Sequence, residues 1–250
     1  MRRDAGKEML ESGFFNRDCM DAMREFPDNF FNLAIVDPPY GGGFTEGGGC
    51  KGWFTKYHTD GKNIGEGVRF GGLFDRYKED EQNGGNVGDK VRKKIIAWDV
   101  APGDDYFQEL FRVSRNQIIW GGNYFNLPPT RCFIVWRKLT ISEKFTMAMA
   151  EYAWTSFNEN AKVFECAPQG TANETRFHAT QKPVKLYQWL LKHYAHDGDK
   201  ILDTHVGSAS SLIACHRAGL EYWGYEIDPI YYAKAKERLD RETAQIRMEF

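Results

Sequence analysis

Short apolar runs alternate with helical segments along much of this 250-residue chain, and that alternation limits the folds it can adopt. Residues 33–36 form a continuous apolar run, which is typical of a buried parallel strand. Two similar runs, 200–203 and 221–226, flank a helical segment that stops at Gly219. Strands joined through helices build parallel sheets. We therefore predict an α/β fold: one domain over 1–250, with a doubly wound, mainly parallel sheet and helices on both faces.

The remaining elements follow from the same patterns. Asp18 is the candidate N-cap of a helix over 19–26, and Asp104 or Asp105 of a later helix. Pro183 suits the first turn of a helix over 183–194. Asp228 and Pro229 open the last helix. Other short strands are predicted at 14–16, 95–98, 117–120, 132–136 and 150–155.

One segment departs from this order. Of the 25 glycines, 15 lie between Gly41 and Gly88, and the segment 41–94 interleaves aromatic residues with ten Lys or Arg and eight Asp or Glu. Loops longer than about 15 residues are usually functional or disordered. We expect a mobile segment that orders over a ligand, and its deletion should weaken ligand binding. A solvated insertion without function is the alternative.

Composition and spacing exclude several classes of protein. The net charge of −2 gives no basic signature, and no apolar run reaches the roughly 18 residues of a membrane span. The five cysteines have no CxxC spacing, the six histidines have no ligand spacing, and no signal peptide is apparent. We expect a cytoplasmic protein with reduced thiols, no membrane segment and no metal site.

The strand over 33–36 stops at Asp37-Pro38-Pro39-Tyr40. Open α/β sheets place ligands beyond the carboxyl ends of their strands. The two prolines remove N–H donors, Asp37 adds an acceptor-only carboxylate, and Tyr40 offers a flat face. Acceptors beside an aromatic ring suit the exocyclic amino group of a planar base. A solvated Pro-Pro turn is the alternative.

A second motif occupies residues 200–228. A strand ends at Asp203, a loop with Gly207 and Ser208 follows, and the strand after the next helix ends at Glu226. This is a nucleotide-binding type of βαβ unit, in which the second acidic residue can hold ribose hydroxyls. Because GxGxxG is absent, a ligand with adenosine and no phosphate fits better than a dinucleotide. An ordinary βα turn is the alternative.

A third motif is Gln181-Lys182-Pro183, which leads into the helix over 183–194. Taken together, Asp37–Tyr40, Gln181–Pro183, 201–208 and 224–228 resemble the amino-methylating DNA methyltransferases, which modify adenine N6 or cytosine N4. The order, with the DPPY motif first, resembles their permuted β group. The resemblance covers about 14–40 and 95–245. It implies a Rossmann-like S-adenosylmethionine-dependent methyltransferase fold, S-adenosyl-L-methionine as the cofactor and double-stranded DNA as the partner.

The resemblance also implies site residues. The catalytic motif would be Asp37, Pro38, Pro39 and Tyr40, with Tyr40 stacked on a flipped adenine whose N6–H bonds are accepted by Asp37 and Pro38. Glu226 would hold the ribose, Asp18 the adenine edge, and the loop with Lys182 the methionine end. The full set of predicted cofactor residues is Asp18, Gln181, Lys182, Pro183, Asp203, Thr204, His205, Gly207, Ser208, Glu226 and Ile227.

DNA contacts are predicted at Asn123 and Tyr124, which could line the base pocket, and at Arg137 and Lys138, which could reach phosphates. A plain turn and a solvated strand end are the alternatives. The usual target-recognition region is short here, over 157–177, which makes 41–94 a candidate for part of the DNA contact. A homodimer and a cognate restriction endonuclease are left open as further partners.

The cofactor loop departs from the family pattern DPFxGSGT. His205 replaces the aromatic residue, and Ala209 replaces the second glycine, where alanine fits if its φ stays negative. Cytosine N4 is the rival target within the class. A DNA-binding protein that keeps the fold without turnover is the rival from another class, favoured by Thr204, His205 and Ala209. An RNA or protein methyltransferase is a third alternative.

Overall fold

The computed structural model describes residues 11–41, 100–143, 148–168, 177–178 and 180–244. These residues form one eight-stranded sheet in the order β1-β8-β7-β2-β3-β5-β4-β6. The strands are β1 (Gly13–Phe15), β2 (Phe31–Val36), β3 (Ser114–Trp120), β4 (Phe133–Lys138), β5 (Ala150–Thr155), β6 (Lys162–Cys166), β7 (Lys200–Asp203) and β8 (Glu221–Tyr225). Within these ranges only β5 runs against its neighbours. The predicted mainly parallel α/β sheet is therefore confirmed.

Five α-helices cover the described part of the sheet: α1 (Cys19–Met23), α2 (Asp104–Val113), α3 (Val184–Tyr194), α4 (Ser210–Ala218) and α5 (Pro229–Thr243). Alternate residues of β2 face opposite layers. Leu33 and Ile35 pack with α3, α4 and α5, whereas Ala34 and Val36 pack with α1 and α2. A strand that is buried on both faces needs apolar residues at every position, which explains the unbroken run over 33–36. The sheet is thus doubly wound, with helices on both faces. None of the helices in the described ranges is long and apolar enough to cross a membrane.

Local sequence signals account for three of the helix ends. The Asp18 side chain accepts a hydrogen bond from the Asp21 N–H, and the Asp228 side chain accepts from the N–H groups of Ile230 and Tyr231, as predicted. Gly219 ends α4 in the left-handed conformation.

Other predicted boundaries were wrong. Gly103 is the N-cap of α2, so Asp104 and Asp105 lie in the first turn, where carboxylates favour the helix dipole. Pro183 is the N-cap residue of α3, and α1 ends at Met23.

The predicted recognition loop over 157–177 was also partly wrong, because residues 162–166 form β6. This strand pairs in parallel with β4, from Ile134 opposite Lys162 to Lys138 opposite Cys166. Parallel pairing with a distant strand leaves no hairpin signal in the sequence. Residues 169–176, the predicted strand over 95–98 and the Gly-rich segment beyond Gly41 lie outside the described residues.

Candidate active site

Three acidic residues stand at the carboxyl ends of neighbouring strands. Asp37 follows β2, Asp203 ends β7, and Glu226 follows β8. The strands β2 and β7 pair directly, with Leu33 opposite Ile201, and β7 pairs with β8. The first two sequence motifs, far apart in the chain, therefore meet at one edge of the sheet, where open α/β sheets bind ligands.

The Asp37 carboxylate is held on both sides. The Tyr40 hydroxyl donates to Asp37 Oδ1 at 2.8 Å, and the Lys182 ammonium donates to Oδ2. Burial, and then the Asp37 charge, raise the pKa of the Tyr40 phenol well above its ordinary value, so this hydroxyl stays a donor. The third motif is thus joined to the first. Lys182 was predicted to hold the methionine end of the cofactor. In this structure its ammonium points to Asp37 instead.

Tyr40 lies in an aromatic contact. Its ring stacks on that of Tyr124, with centroids 4.8 Å apart and planes 17° apart, and a Cβ atom at Gly121 would lie 2.1 Å from a Tyr40 ring carbon. Gly121, at φ +67°, therefore lets the backbone after β3 approach the ring. Tyr124 is 62% exposed and Asn123 is exposed too. The structure places the predicted base-pocket residue Tyr124 beside Tyr40.

The Glu226 carboxylate connects the cofactor loop, residues 203–209, to the end of β8. Its Oε2 accepts from the Gly207 N–H at 3.0 Å and its Oε1 from the Asp228 N–H at 2.9 Å. Asn16, at the end of β1, donates to the carbonyl oxygens of Glu226 and Ile227. Each Glu226 oxygen keeps acceptor capacity, because an ionised carboxylate has about four lone-pair sites. Ile227 is 66% exposed beside it, which suits an apolar contact with a planar ring.

The loop over 203–209 is tied down by buried polar groups. Asp203 accepts hydrogen bonds from the Ser211 hydroxyl and from the His205 N–H at 3.0 Å. The Thr204 hydroxyl bonds the Tyr106 hydroxyl at 2.6 Å and His205 Nδ1 at 2.9 Å. Gly207 has φ +56°, and its α-carbon faces the ring of His178, which would lie 3.3 Å from an added Cβ. The loop is therefore held by its own hydrogen bonds and by contacts with other elements.

Two departures from the family pattern now have structural consequences. Ala209, the N-cap residue of α4, has φ +63°, so the condition of a negative φ fails and the residue is strained. His205 packs against Tyr106 with ring centroids 5.5 Å apart, and burial lowers its pKa to about 4. A neutral imidazole thus takes the place of the family's aromatic ring.

The carboxylate acceptors of the site fit an adenosine ligand. A ribose needs acceptors, which Glu226 supplies, and Asp18 has one carboxylate oxygen beyond the one that caps α1. Gln181 and Pro183 are buried rather than open to a ligand, and Gln181 accepts from the Phe177 N–H at 3.3 Å. Ser208 is buried, with its hydroxyl 3.1 Å from that of Ser210.

Of the predicted phosphate contacts, one was wrong. The Lys138 side chain is 6% exposed and its ammonium lies 2.5 Å from Glu151 Oε1, because the alternation of β4 turns this residue inward. Arg137, the preceding residue, faces outward, 65% exposed, and pairs with Glu165 at 2.7 Å.

Two residues that support the site were not predicted from the sequence. Arg238 is 4% exposed and donates to the Ser208 carbonyl at 2.8 Å and the Ser210 hydroxyl at 2.9 Å, which anchors the loop to α5. Its spacing from Tyr231 and Ala235 places it on the buried face of the helix, so helical periodicity could have found it. Glu151 was missed too, and no local pattern signals it.

A doubly wound sheet with a nucleotide-type loop beside an acidic, aromatic motif is typical of a class of proteins that bind an adenosine-containing cofactor. Comparison with known proteins narrows this class. The chain matches the family model described as DNA methylase (N6/N4) over residues 75–237. Because the match covers more than half of the chain, this protein belongs to the N6/N4 DNA methylase family.

Comparisons with individual proteins are consistent with this family assignment. The methylase YubD of Escherichia coli K12 is 22% identical over 253 residues, which cover 91% of this chain and 90% of YubD. The structure of PvuII DNA methyltransferase, named cytosine-N4-specific, matches with TM-score 0.53 at 10% identity, over 93% of this chain and 91% of that chain. A DNA modification methylase of Thermus thermophilus, complexed with S-adenosyl-L-methionine, matches with TM-score 0.50 at 18% identity, over 93% and 96% of the chains. These two likenesses establish the fold.

Proposed function

We propose that this protein transfers a methyl group from S-adenosyl-L-methionine to N6 of an adenine flipped out of duplex DNA. One observation carries the proposal. The Asp37 carboxylate and the Tyr40 ring lie at the end of β2, next to the loop that Glu226 holds at the ends of β7 and β8. An amino-group acceptor and an adenosine site then share one edge of the sheet. A stacked adenine cannot reach such a site, so the base must leave the duplex.

The chain's own groups position the amino nitrogen. The Asp37 carboxylate accepts one N6–H bond and the Pro38 carbonyl accepts the other, which directs the N6 lone pair at the methyl carbon. Asp37 keeps the capacity for this bond because Tyr40 and Lys182 use only part of its lone pairs. S-adenosyl-L-methionine, when bound, supplies an electrophilic methyl group. Orientation of this kind contributes several kcal/mol to catalysis, up to about 7–11 in ideal models.

Tyr40 stacks on the target base, so the present stack of Tyr40 on Tyr124 has to open. At a centroid separation of 4.8 Å, no third ring fits between them. Tyr124 is largely exposed and can move outward, from where its ring can cover the base.

The test is transfer of labelled methyl groups to duplex DNA by the wild type, Asp37→Ala and, as a control, Asp197→Ala, which changes an exposed loop aspartate. We expect loss of transfer only in Asp37→Ala; equal activity in all three proteins would remove the role of Asp37. Mass spectrometry of the product nucleosides should show N6-methyladenine. N4-methylcytosine would favour the second target, which the likeness to a cytosine-N4-specific enzyme supports as an alternative.

Ala209 supports a different alternative, a DNA-binding protein without turnover, because its strained backbone lies in the cofactor loop. Calorimetry with S-adenosyl-L-methionine separates the two. Binding supports the enzyme, and no detectable binding supports the inactive protein.

A further inference from the structure

Glu151, on β5, has a partly buried carboxylate that the proposed reaction does not use, and its side chain is 25% exposed. Two ammonium groups contact it: Lys138 Nζ lies 2.5 Å from Oε1, and Lys182 Nζ lies 3.2 Å from Oε2. Both lysine side chains are almost fully buried. Glu151 is therefore part of an internal charge cluster, which consists of Lys138, Glu151, Lys182 and Asp37.

Lys182 joins the two carboxylates of this cluster. One ammonium group contacts both Asp37 Oδ2 and Glu151 Oε2, while the Tyr40 hydroxyl donates to the other oxygen of Asp37. The cluster has two positive and two negative charges, so it is neutral as a whole. Its neutrality depends on Glu151, because without that carboxylate the charge of Asp37 alone would balance two ammonium groups.

The surroundings make these charges interact strongly. The Lys182 ammonium lies 5.2 Å from the ring centroid of Trp120, and that of Lys138 lies 5.2 Å from that of Trp136. Both tryptophans are at most 2% exposed, and their rings meet edge to face. Such apolar walls exclude water and lower the local dielectric constant. Burial by itself raises the pKa of the Glu151 carboxyl, but Lys182 and Lys138 outweigh it and lower the pKa to about 2, so Glu151 is ionised at neutral pH.

We propose that Glu151 is a positioning residue that shares the charge of Lys182 with Asp37 and thereby keeps Asp37 a strong acceptor for the amino group of the target base. This inference rests on the proposed function. When Glu151 is ionised, the Lys182 ammonium is drawn towards two carboxylates. When Glu151 is neutral, the same ammonium concentrates on Asp37, fixes its carboxylate more firmly and weakens the bond that Asp37 can offer to N6–H.

The experiment compares single-turnover methyl transfer, at saturating DNA and S-adenosyl-L-methionine, with the calorimetric Kd of S-adenosyl-L-methionine. Glu151→Gln should slow transfer by at least tenfold and change that Kd by less than twofold. Glu151→Asp keeps the charge and should recover part of the rate. Glu221→Gln is the matched control, since Glu221 is an exposed strand glutamate at the amino end of β8, opposite the edge of the sheet that has the site, and its rate should equal that of the wild type.

A second variant separates positioning from stability. Glu151→Gln leaves a surplus buried cation, so its melting temperature should fall. The double variant Glu151→Gln with Lys138→Met removes that cation and should recover the melting temperature, while its rate stays low. A double variant with the wild-type rate would overturn the inference, because Glu151 would then serve only to neutralise Lys138. An unaffected rate in Glu151→Gln would overturn it as well. A wild type that transfers no methyl group would instead overturn the proposed function together with this inference.

Discussion

Ala209 has a backbone conformation that L-amino acids rarely adopt, with φ +63° and ψ +19° at the N-cap of α4. The cost of this conformation for a residue with a Cβ atom is roughly 1–2 kcal/mol. Glycine avoids that cost, but its unfolded state is more flexible by about 0.4–1 kcal/mol. The position thus reduces the stability of the cofactor loop.

The variant Ala209→Gly should be more stable than the wild type by about 0.5–1 kcal/mol. Ala214→Gly is the matched control, because Ala214 lies inside α4, where glycine costs about 1 kcal/mol. Thermal unfolding should show opposite shifts in the two variants. A loss of stability in both would contradict the strain at Ala209.

Asp203 is a second residue in an unfavourable environment, because its carboxyl group is buried. It is 3% exposed, and burial raises its pKa from 3.8 to about 7 in spite of the hydrogen bonds from Ser211 and His205. In the folded state this carboxyl binds a proton that the unfolded state releases above pH 3.8. The stability that Asp203 provides is therefore complete at low pH and is lost as the pH rises towards about 7.

The variant Asp203→Asn lacks this titration, so its melting temperature relative to the wild type should rise between about pH 4 and about pH 7. The full effect amounts to roughly 4 kcal/mol, since each pKa unit corresponds to about 1.4 kcal/mol. His205 and Glu151 titrate in both proteins and cancel in the comparison. A difference that is constant with pH would mean that only a hydrogen bond had changed.

At the scale of the elements, α5 supports the cofactor loop through one side chain. Arg238 projects from the buried face of α5 and donates to the Ser208 carbonyl and the Ser210 hydroxyl. The strand β8 reaches the same loop from the other side through Glu226. The loop between β7 and α4 is thus fixed by elements that follow it in the chain.

Arg238→Met should raise the Kd for S-adenosyl-L-methionine about tenfold, which corresponds to one hydrogen bond to a charged group. Arg241→Met, on the exposed side of the same helix, is the control and should bind as the wild type does. Calorimetry provides both values. Equal affinities would show that the loop keeps its shape without Arg238.

At the scale of the whole molecule, the net charge of −2 means that DNA binding has to depend on local positive groups. We propose Arg137 as one such group, because it is exposed at the carboxyl end of β4, on the edge of the sheet that has the candidate site. Its pair with Glu165 is a surface ion pair of small energy, which a phosphate can replace.

Arg137→Ser should weaken DNA binding and reduce the slope of log K against log salt by about 1, the change expected for one phosphate contact. Arg131 precedes the same strand at the opposite edge of the sheet and bonds Asn160, so Arg131→Ser is the control. Titrations at several salt concentrations give both slopes. Equal slopes for the two variants would exclude Arg137 from the DNA contact.

Much of the fold could be predicted because it depends on local patterns. The apolar run of β2, the caps Asp18 and Asp228 and the stop at Gly219 each follow from a few neighbouring residues. Positions such as β6 could not be found in this way, since its partner is β4, nearly thirty residues earlier.

The sequence by itself determined most of the order of strands and helices, the acidic residues at the strand ends and the family, because periodicity and motifs are properties of neighbouring residues. Only the tertiary structure decided which charges meet. Lys182 contacts Asp37 and Glu151, Lys138 turns inward to Glu151, and Arg238 reaches the loop. The strength of such contacts depends on distance and on exclusion from water. Both quantities exist only once distant segments have packed together.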